Sequence, residues 1–318
     1  MEAIILVGGF GTRLRPLTLS IPKPLLPLAN IPMVERMIMN LPKKFDTAIL
    51  AVNYGLDEMI EYFKKRELDR KIIIVPEKEP LGTGGAIRNC HKYITGTTAV
   101  FNGDVVSSIN LEEMLEFHTE NRAKGTLALW EVDDPSRFGV VEFRENRILQ
   151  FQEKPERGTE LSNLINAGTY LLEPEIIELI PPKEKISIER DIYPKIAGKD
   201  LFGFPFKGYF IDSGTPNSYL EANQLVLGND GTAAHEGASI RGSVLIDESA
   251  KIKDCIIGPN AIIGPNVELE KCVVRESVIL SDVKGYGGIV EESIIGPEIS
   301  FDMDIERTLI SPEGQRKF

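Results

Sequence analysis

The chain has 318 residues, 42% of them hydrophobic and 26% charged, so it can bury a core and is not a disordered chain. Its 48 acidic and 36 basic residues give a net charge of −12, which disfavours nucleic acid or a membrane surface as a partner. We expect no membrane span, since no run approaches the roughly 20 apolar residues needed, and no signal peptide, since the strand-like run 4–7 has no basic region before it. Cys90, Cys255 and Cys272 show no paired spacing, which favours a reducing, cytoplasmic compartment.

Short apolar runs alternate with amphipathic stretches over residues 1–227. This alternation is typical of βαβ units and predicts a Rossmann-like α/β domain whose mixed, mostly parallel sheet is covered on both faces. Predicted strands are 2–7, 47–52, 71–75, 98–102, 126–132, 139–143, 148–151 and 164–172. Predicted helices are 33–41, 56–66, 84–93, 110–121, 174–180, 187–196 and 215–227.

A different pattern follows a turn-rich linker at 228–235. Aliphatic residues recur every five or six positions, which predicts one short strand and one turn per step and three steps per coil of a left-handed parallel β-helix over 236–318. These residues are Ile246, Ile252, Ile257, Ile263, Leu269, Val274 and Ile279 and, after a break at 285–288, Ile289, Ile294, Ile299, Ile305 and Ile310. Asn260 and Asn266 suit left-handed turns. We expect a loose polar tail at 313–318 and homo-oligomerisation through the β-helix.

A glycine-rich segment, Gly8-Gly9-Phe10-Gly11-Thr12-Arg13, follows the first strand. It is neither a Walker A loop nor a GxGxxG fingerprint. Glycines at this point of an open α/β sheet nevertheless let backbone N–H groups approach phosphate oxygens. Arg13, Arg15 and Lys23 add positive charge, with Glu2 the only acid in residues 1–30. The segment predicts a small anionic ligand, although a bare glycine pair more often marks a tight turn.

Two carboxylates come at the ends of apolar strand-like runs. Asp104 follows Ala99–Phe101, and Asp212 follows Tyr209–Ile211. Ligand sites of open α/β sheets lie beyond the carboxyl ends of strands, and Mg²⁺ binds one or two carboxylates together with phosphate oxygens. An isolated aspartate in such a place is more often a helix cap or turn residue. Both aspartates are candidate magnesium ligands.

The string GGFGTRLRPLTLSIPKPLLPLANIPM resembles the signature of the sugar nucleotidyltransferases, or NDP-sugar pyrophosphorylases. The likeness continues in the family's order through residues 79–86, 101–104, 135–141, 153–155, 166–168, 187–191 and 210–215. Within the family the chain is most similar to the guanylyltransferases acting on mannose-1-phosphate. The resemblance implies Mg²⁺-dependent transfer of a nucleotidyl group from an NTP, preferably GTP, to a sugar-1-phosphate, preferably mannose-1-phosphate, with release of pyrophosphate.

The resemblance also implies roles for individual residues. Catalysis would involve Arg13 at the leaving pyrophosphate, Lys23 near the α-phosphate, and Asp104, which shares the metal with Asp212. Nucleotide binding is implied for Leu6, Gly8, Gly9, Gly11, Thr12, Arg13, Pro80, Gly82, Thr83 and Asp104. Sugar-phosphate binding is implied for Gly139, Glu153, Lys154 and Asn166.

Alternative functions remain open at this point. Uridylyl-, thymidylyl- and adenylyltransferases have similar loops, and base choice depends on hydrogen-bond geometry. A non-catalytic regulatory paralogue that binds nucleotide sugars would be expected to lack a metal aspartate, the glycine-rich loop or Lys154, and all are present. An acyltransferase built on the β-helix would need a histidine base, and residues 236–318 contain no histidine.

Overall fold

A computed structural model of the chain describes residues 1–228, 231–232 and 234–318. Contacts divide these residues into two compact units. The sheet unit comprises Met1–Gly9 and Met37–Phe210, and the β-helix unit comprises Phe10–Arg36 and Ile211–Phe318. The glycine-rich segment from Phe10 onward therefore groups with the C-terminal residues, whereas the sequence predicts a division at residue 227. The predicted linker includes Asn229, Asp230 and Ala233, which lie outside the described residues.

The elements up to residue 228 agree in type with most predictions. The helices are α1 (Met33–Met39), α2 (Leu56–Lys64), α3 (Gly82–Asn89), α4 (Leu111–Glu120), α5 (Pro174–Glu178), α6 (Tyr193–Ile196) and α7 (Pro216–Leu227). The strands are β1 (Glu2–Leu6), β2 (Pro27–Leu28), β3 (Ile31–Pro32), β4 (Thr47–Val52), β5 (Lys71–Pro76), β6 (Thr98–Asn102), β7 (Val105–Ser107), β8 (Gly125–Glu131), β9 (Gly139–Arg144), β10 (Arg147–Glu153), β11 (Leu164–Leu172), β12 (Leu201–Pro205) and β13 (Phe210–Asp212). Strand β12 was not predicted, and the helix predicted at 187–196 is a π-helical turn, Ile188–Ile192, followed by α6.

Capping residues fix where helices α4 and α7 begin. Asn110 Oδ1 accepts hydrogen bonds from the N–H groups of Glu112 and Glu113 at the start of α4. At α7, Thr215 and Ser218 each accept from the other's backbone N–H, which is a reciprocal capping box. Within the described ranges, no helix combines the length and the apolar character needed to cross a bilayer.

A nine-stranded sheet organises the sheet unit, in the order β5-β4-β1-β6-β11-β8-β12-β10-β9. Strands β5, β4, β1 and β6 are parallel neighbours, as the βαβ pattern predicts, and β12 is parallel to β8. Strand β11 runs antiparallel to β6 and β8, and β10 runs antiparallel to β12 and β9. The sheet is mixed, as predicted, but the expectation that it is mostly parallel is wrong, since four of its described strand pairs are parallel and five are antiparallel. One reason is that Glu145 and Asn146, both with positive φ, join β9 to β10 in a tight turn that permits only antiparallel pairing.

The C-terminal strands form three sheets that the chain visits in rotation. The strands are β14 (Ala238–Ile240), β15 (Val244–Ile246), β16 (Lys251–Lys253), β17 (Cys255–Ile257), β18 (Ala261–Ile263), β19 (Glu268–Glu270), β20 (Val273–Arg275), β21 (Val278–Ile279), β22 (Lys284–Tyr286), β23 (Ile289–Glu291), β24 (Ile294–Ile295), β25 (Ser300–Phe301), β26 (Ile305–Glu306), β27 (Thr308–Ser311) and β28 (Gly314–Lys317). The sheets have the orders β14-β17-β20-β23-β26, β15-β18-β21-β24-β27-β28 and β16-β19-β22-β25. All neighbours are parallel except β27 and β28, which is the arrangement of a parallel β-helix.

The interior of the β-helix follows the predicted spacing through residue 279. All seven aliphatic residues predicted from Ile246 to Ile279 are buried, and Asn260 and Asn266 have positive φ. The predicted break at residues 285–288 does not interrupt the coils, because Gly285 belongs to β22 and its missing side chain makes room for the Phe301 ring. Beyond this segment, the prediction that Ile289 lies in the interior is wrong, since Ile289 is 40% exposed and Val290 is buried instead. The predicted loose tail is also wrong, since β28 pairs with β27.

Candidate active site

In the sheet unit, the ends of β1 and β6 place three of the predicted nucleotide-side residues close together. The Gly103 N–H donates to the Leu6 carbonyl at 3.0 Å, and a Cβ on Gly103 would lie 2.7 Å from that oxygen. Gly8 is also confined, though less tightly, since a Cβ there would lie 3.1 Å from Asn53 Cβ. Asp104, which is half-buried, directly follows Gly103. Leu6, Gly8 and Asp104 thus lie at the carboxyl ends of adjacent parallel strands, where such folds bind ligands.

In the β-helix unit, the rest of the glycine-rich segment is folded tightly on itself. Gly11 has φ +60°, and a Cβ there would lie 2.9 Å from Thr18 Cγ2 and 3.1 Å from Lys23 Cβ. The Thr18 hydroxyl donates to the Gly11 carbonyl at 2.8 Å. Thr12 begins a short 3₁₀ turn, Thr12–Leu14. Lys23 is buried, in contrast to the exposed Arg13, so the two predicted cations differ in their access to solvent.

Arg13 and Asp212 meet within the β-helix unit. Arg13 Nη2 lies 3.4 Å from Asp212 Oδ2, and their side chains are 49% and 28% exposed. Gly214 permits this approach, since a Cβ at that position would overlap the guanidinium of Arg13. The other oxygen, Asp212 Oδ1, is buried and has no hydrogen-bond partner among the described residues. A buried carboxylate oxygen in this state is a suitable ligand for a hard cation such as Mg²⁺.

Metal binding by protein side chains alone is not indicated. Over the ranges that the structure describes, no group of three or more His, Cys, Asp or Glu side chains could hold an ion. Mg²⁺ commonly takes only one or two carboxylates and completes its coordination with phosphate oxygens and water. The donors available at Asp104 and Asp212 fit that pattern.

Three antiparallel strands of the sheet unit bring the predicted sugar-phosphate residues together. Gly139 on β9 is paired with Glu153 on β10, and Val140 is paired with Ile165 on β11, next to Asn166. A Cβ on Gly139 would lie 2.5 Å from Phe151 Cζ and 2.9 Å from Glu153 Oε2, so a larger residue would have to displace the Phe151 ring. The β11–β8 register shifts between Asn166 and Tyr170, and such a bulge redirects side chains.

Glu153 and Lys154 form a charged pair at the end of β10. Lys154 Nζ lies 3.6 Å from Glu153 Oε1, and the two side chains are 58% and 14% exposed. Lys154 has φ +50°, an uncommon backbone conformation for a residue with a side chain and one that often marks a functional position. Burial and, second, the charge of Glu189 raise the pKa of Glu153, whereas Lys154 and Arg190 lower it.

The loop at residues 80–83, which contains the predicted nucleotide-binding residues Pro80, Gly82 and Thr83, is held in place by the segment before the π-helical turn. The Ile186 carbonyl accepts from the N–H groups of Gly84 and Gly85 at 2.9 and 3.2 Å, and the Ile186 N–H donates to the Leu81 carbonyl at 2.9 Å. Gly82 has φ +70°, and a Cβ there would lie 2.6 Å from the Ile186 oxygen. Gly82 is therefore required by packing inside the protein. Pro80 is exposed, and Thr83 is half-buried in the first turn of α3.

Two acidic residues near this loop were not predicted as site residues. Glu77 Oε2 accepts from the Leu81 N–H at 3.1 Å, and burial raises the pKa of Glu77. Glu189 Oε2 accepts from the Thr83 hydroxyl at 2.5 Å. The motif at 187–191 was the only sequence signal for Glu189. Its position between Ile188 and Ile192 in an apolar segment indicates a buried acid, and a buried acid needs hydrogen-bond partners.

Comparisons with known proteins identify the class of the chain. A family model described as Nucleotidyl transferase matches residues 2–229, and one described as GMPPB C-terminal domain matches residues 240–307. The chain belongs to the nucleotidyl transferase family and is a nucleotidyltransferase enzyme. The second match falls on the β-helix.

The chain is also similar to individual proteins and solved structures of this class. A protein of Arabidopsis thaliana named mannose-1-phosphate guanylyltransferase 1 is 39% identical over 317 residues, which cover 93% of this chain and 86% of that protein. A crystal structure of HddC from Yersinia pseudotuberculosis complexed with GMP-PN is 34% identical, with a TM-score of 0.60 over 71% of this chain and 99% of that chain. A UDP-glucose pyrophosphorylase complexed with UDP-glucose is 24% identical, with a TM-score of 0.63 over 71% of this chain and 97% of that chain, and supports the fold alone.

Proposed function

We propose that the chain transfers the guanylyl group of GTP to mannose-1-phosphate, giving GDP-mannose and pyrophosphate. The observation that supports sugar-1-phosphate as the acceptor substrate is the grouping of the exposed Lys154 with the half-buried Glu153 and with Asn166 on the neighbouring strand. A cation beside two hydrogen-bonding groups suits a ligand with a phosphate next to hydroxyl groups. The choice of GTP and mannose is supported by the named relative at 39% identity.

The sugar side of the site would hold the nucleophile. Lys154 would bind the phosphate of mannose-1-phosphate, and Glu153 would accept hydrogen bonds from sugar hydroxyls. Gly139 and Asn166 would complete the contacts to the sugar. Because these groups are on paired strands, the site would be rigid before the substrate arrives, and positioning contributes much of the rate in phosphoryl chemistry.

The nucleotide side would bind GTP through the glycine-rich segment and the loop at 80–83. N–H groups of Gly8, Gly9, Gly11 and Thr12 would approach phosphate oxygens, and Leu6, Pro80, Gly82 and Thr83 would border the nucleoside. A sugar-phosphate oxygen attacks the α-phosphorus, and the bond to the departing pyrophosphate breaks. Lys23 would stabilise charge at the α-phosphate, and the exposed Arg13 would stabilise charge on pyrophosphate.

Asp104 and Asp212 are the proposed ligands of Mg²⁺. When bound, the ion would neutralise negative charge on the phosphate oxygens. The support from this structure is the buried Asp212 Oδ1, which has no hydrogen-bond partner in the described part of the chain. Asp104 is two residues beyond the end of β6.

We further propose a division of labour along the chain. Residues 1–227 would act as the catalytic domain, and residues 236–318 as a left-handed β-helix that mediates homo-oligomerisation, joined by a linker at 228–235. A cytoplasmic location is supported by three cysteines that are all buried and free. Sedimentation of the full chain tests the assembly, since a monomer at micromolar concentration would contradict it.

The function is tested by a pyrophosphate-release assay with Mg²⁺. It crosses GTP, UTP, dTTP, ATP and CTP with mannose-1-phosphate, glucose-1-phosphate and N-acetylglucosamine-1-phosphate. We expect the highest kcat/KM for GTP with mannose-1-phosphate. A different productive pair would reject this specificity and keep the reaction, whereas no release in any combination would reject catalysis by this chain.

A further inference from the structure

Glu189 is a buried acidic residue with no role in the function proposed above. It lies in the π-helical turn Ile188–Ile192 and is only 9% exposed. Its Oε2 accepts hydrogen bonds from the hydroxyls of Thr83 at 2.5 Å and Ser187 at 2.7 Å. Its Oε1 lies 3.5 Å from the hydroxyl of Tyr170, which is fully buried. Both carboxyl oxygens therefore face hydroxyl groups.

Neighbouring N–H groups direct the hydroxyl protons toward Glu189. The Ile188 N–H donates to Thr83 Oγ1 at 3.0 Å, and the Arg190 N–H donates to Ser187 Oγ at 3.3 Å. Asn166 Nδ2 donates to the Tyr170 oxygen at 3.1 Å. Because each hydroxyl oxygen already accepts from nitrogen, its single proton is left for Glu189. The arrangement lets both oxygens of Glu189 accept hydrogen bonds.

The two oxygens of Glu189 lead to opposite halves of the proposed site. Oε2 accepts from Thr83, which belongs to the loop at 80–83 proposed to border the nucleoside. Oε1 faces Tyr170, whose hydroxyl is bonded to Asn166 on the sugar-phosphate side. One carboxylate is thus connected to a nucleotide-side residue and to a sugar-side residue that are not neighbours in sequence.

A purely structural role gives no reason for a charge at this position. A buried carboxylate is costly unless several hydrogen bonds stabilise it, and here the bonded partners are neutral hydroxyls. Charge-assisted hydrogen bonds are also stronger and shorter than neutral ones, so they hold their partners in fixed positions. The charge therefore serves orientation better than it serves stability.

We propose that Glu189 is a positioning residue that couples the nucleotide loop to the sugar-phosphate side. The coupling acts through Thr83 on one side and through Tyr170 and Asn166 on the other. This inference rests on the proposed function, because that function gives the two sides their substrates. Losing Glu189 would then impair the use of both substrates, although Glu189 need not touch either.

The first test compares Glu189→Gln with a matched control, Glu173→Gln. Glutamine keeps the size of the side chain but places an amide donor against hydroxyl protons. We expect Glu189→Gln to lower kcat/KM about 30-fold for GTP and for mannose-1-phosphate. Glu173 also accepts from a threonine hydroxyl, that of Thr97 at 2.5 Å, and its Oε1 lies 3.1 Å from His118 Nε2, outside the proposed site. Glu173→Gln should keep wild-type kcat/KM, with thermal unfolding recorded for both variants.

A double-mutant cycle separates coupling from local damage. Thr83→Val and Tyr170→Phe each remove one hydroxyl with little change in size. Coupling through Glu189 predicts that each variant raises the KM of both substrates, and that the double variant loses less than the product of the single losses. Without coupling, each variant would affect the substrate on its own side, and the losses would multiply.

A pH profile adds a readout that lost packing does not change. The charge of Glu189 is the second cause that raises the pKa of Glu153, after burial, while Lys154 and Arg190 oppose it. Glu189→Gln removes that charge, so the pKa of Glu153 falls. The acid limb of kcat/KM for mannose-1-phosphate should therefore move to lower pH in Glu189→Gln and stay in place in Glu173→Gln.

The outcomes distinguish this inference from the proposed function. No turnover by the wild-type chain with any substrate pair rejects the function and the inference together. The inference alone is rejected if the wild type turns over normally and three results are found together. Glu189→Gln keeps its activity, its acid limb does not move, and the losses of Thr83→Val and Tyr170→Phe multiply. A Glu189→Gln variant that loses activity only in proportion to its lowered thermal stability rejects it as well.

Discussion

The sheet unit and the β-helix unit place their charged groups differently. In the sheet unit, buried acids are bonded to hydroxyl groups, as Glu189 is to Thr83 and as Glu2 is to Thr95 at 2.8 Å. Within the coils of the β-helix unit the interior is largely aliphatic, and charged side chains pair along the outside from one coil to the next. Lys251–Glu268, Lys253–Glu270 and Arg275–Glu291 are such pairs, with distances of 2.8, 2.8 and 2.7 Å.

This difference shows which interactions fix a site and which stabilise a scaffold. Exposed ion pairs contribute little to stability and specify no single geometry, whereas buried polar contacts fix individual side chains. Stacked aliphatic layers stabilise the coils, because each coil adds the free energy of packing against the next one. The β-helix unit nevertheless also contains Arg13, Lys23 and Asp212, so its coils and its proposed catalytic residues belong to one compact unit.

The largest expected effect comes from removing one proposed magnesium ligand in either unit. Asp104→Asn in the sheet unit and Asp212→Asn in the β-helix unit should each lower kcat about a thousandfold, because an amide binds Mg²⁺ poorly and leaves phosphate charge uncompensated. Pyrophosphate release over a range of Mg²⁺ concentrations measures the loss. Asp247→Asn, in a turn of the β-helix where Asp247 bonds Ser249, is the control and should keep wild-type kcat. Turnover within threefold of wild type in both test variants would remove the metal assignment.

The interior of the β-helix should respond through stability. Ile279 is fully buried, and Ile279→Ala should cost about 2–5 kcal/mol of unfolding free energy because it leaves a cavity. Ile289 is 40% exposed, and Ile289→Ala should change that free energy by less than about 0.5 kcal/mol. Unfolding in urea measures both variants. Equal losses would contradict the assignment of Val290, not Ile289, to the interior.

Periodicity predicted the parallel strands of the sheet unit and the first coils of the β-helix, and it failed where local residues changed the pattern. Strand β12 was missed because Gly203 and Pro205 are unfavourable in strands. Ile289 was misplaced because Gly287 and Gly288, both with positive φ, alter the step, and a shift of one residue turns a strand's side chains to the opposite face.

From the sequence, only those residues of the candidate site that lie in recognisable motifs could be predicted. Gly139, Glu153, Lys154 and Asn166 were named from a resemblance, and strand pairing brings them together in the structure. The partner of Thr83 was not predictable, since Glu189 lies 106 positions away and no local pattern connects the two. Hydrogen bonds at that separation depend on the packing of the whole sheet unit.

A smaller effect is expected at the sugar-phosphate side of the sheet unit. Lys154→Ala should raise the KM for mannose-1-phosphate about 30-fold, because a charge-assisted contact to phosphate is lost, and it should change the KM for GTP much less. Initial rates with each substrate varied in turn measure this. Lys124→Ala is the control, since Lys124 pairs with the exposed Glu175 at 2.7 Å outside the proposed site. An unchanged KM for mannose-1-phosphate would contradict the role of Lys154.

The smallest expected effect links the end of the β-helix to the glycine-rich segment, both in the β-helix unit. Arg316 on β28 donates from Nη2 to the main-chain oxygen of Arg13 at 2.6 Å, and β27 packs beside Leu17–Leu19. Arg316→Ala removes one exposed hydrogen bond, so kcat/KM for GTP should fall only about threefold, with thermal unfolding unchanged.

Lys317→Ala, on the same strand, should be without effect, and Arg316→Lys should recover part of the loss. If Arg316→Ala matched Lys317→Ala, the β-helix would stabilise the unit without holding the Arg13 backbone. If Arg316→Ala lowered kcat/KM for GTP and not for mannose-1-phosphate, the coils would also help to orient Arg13, the residue proposed to stabilise the leaving pyrophosphate.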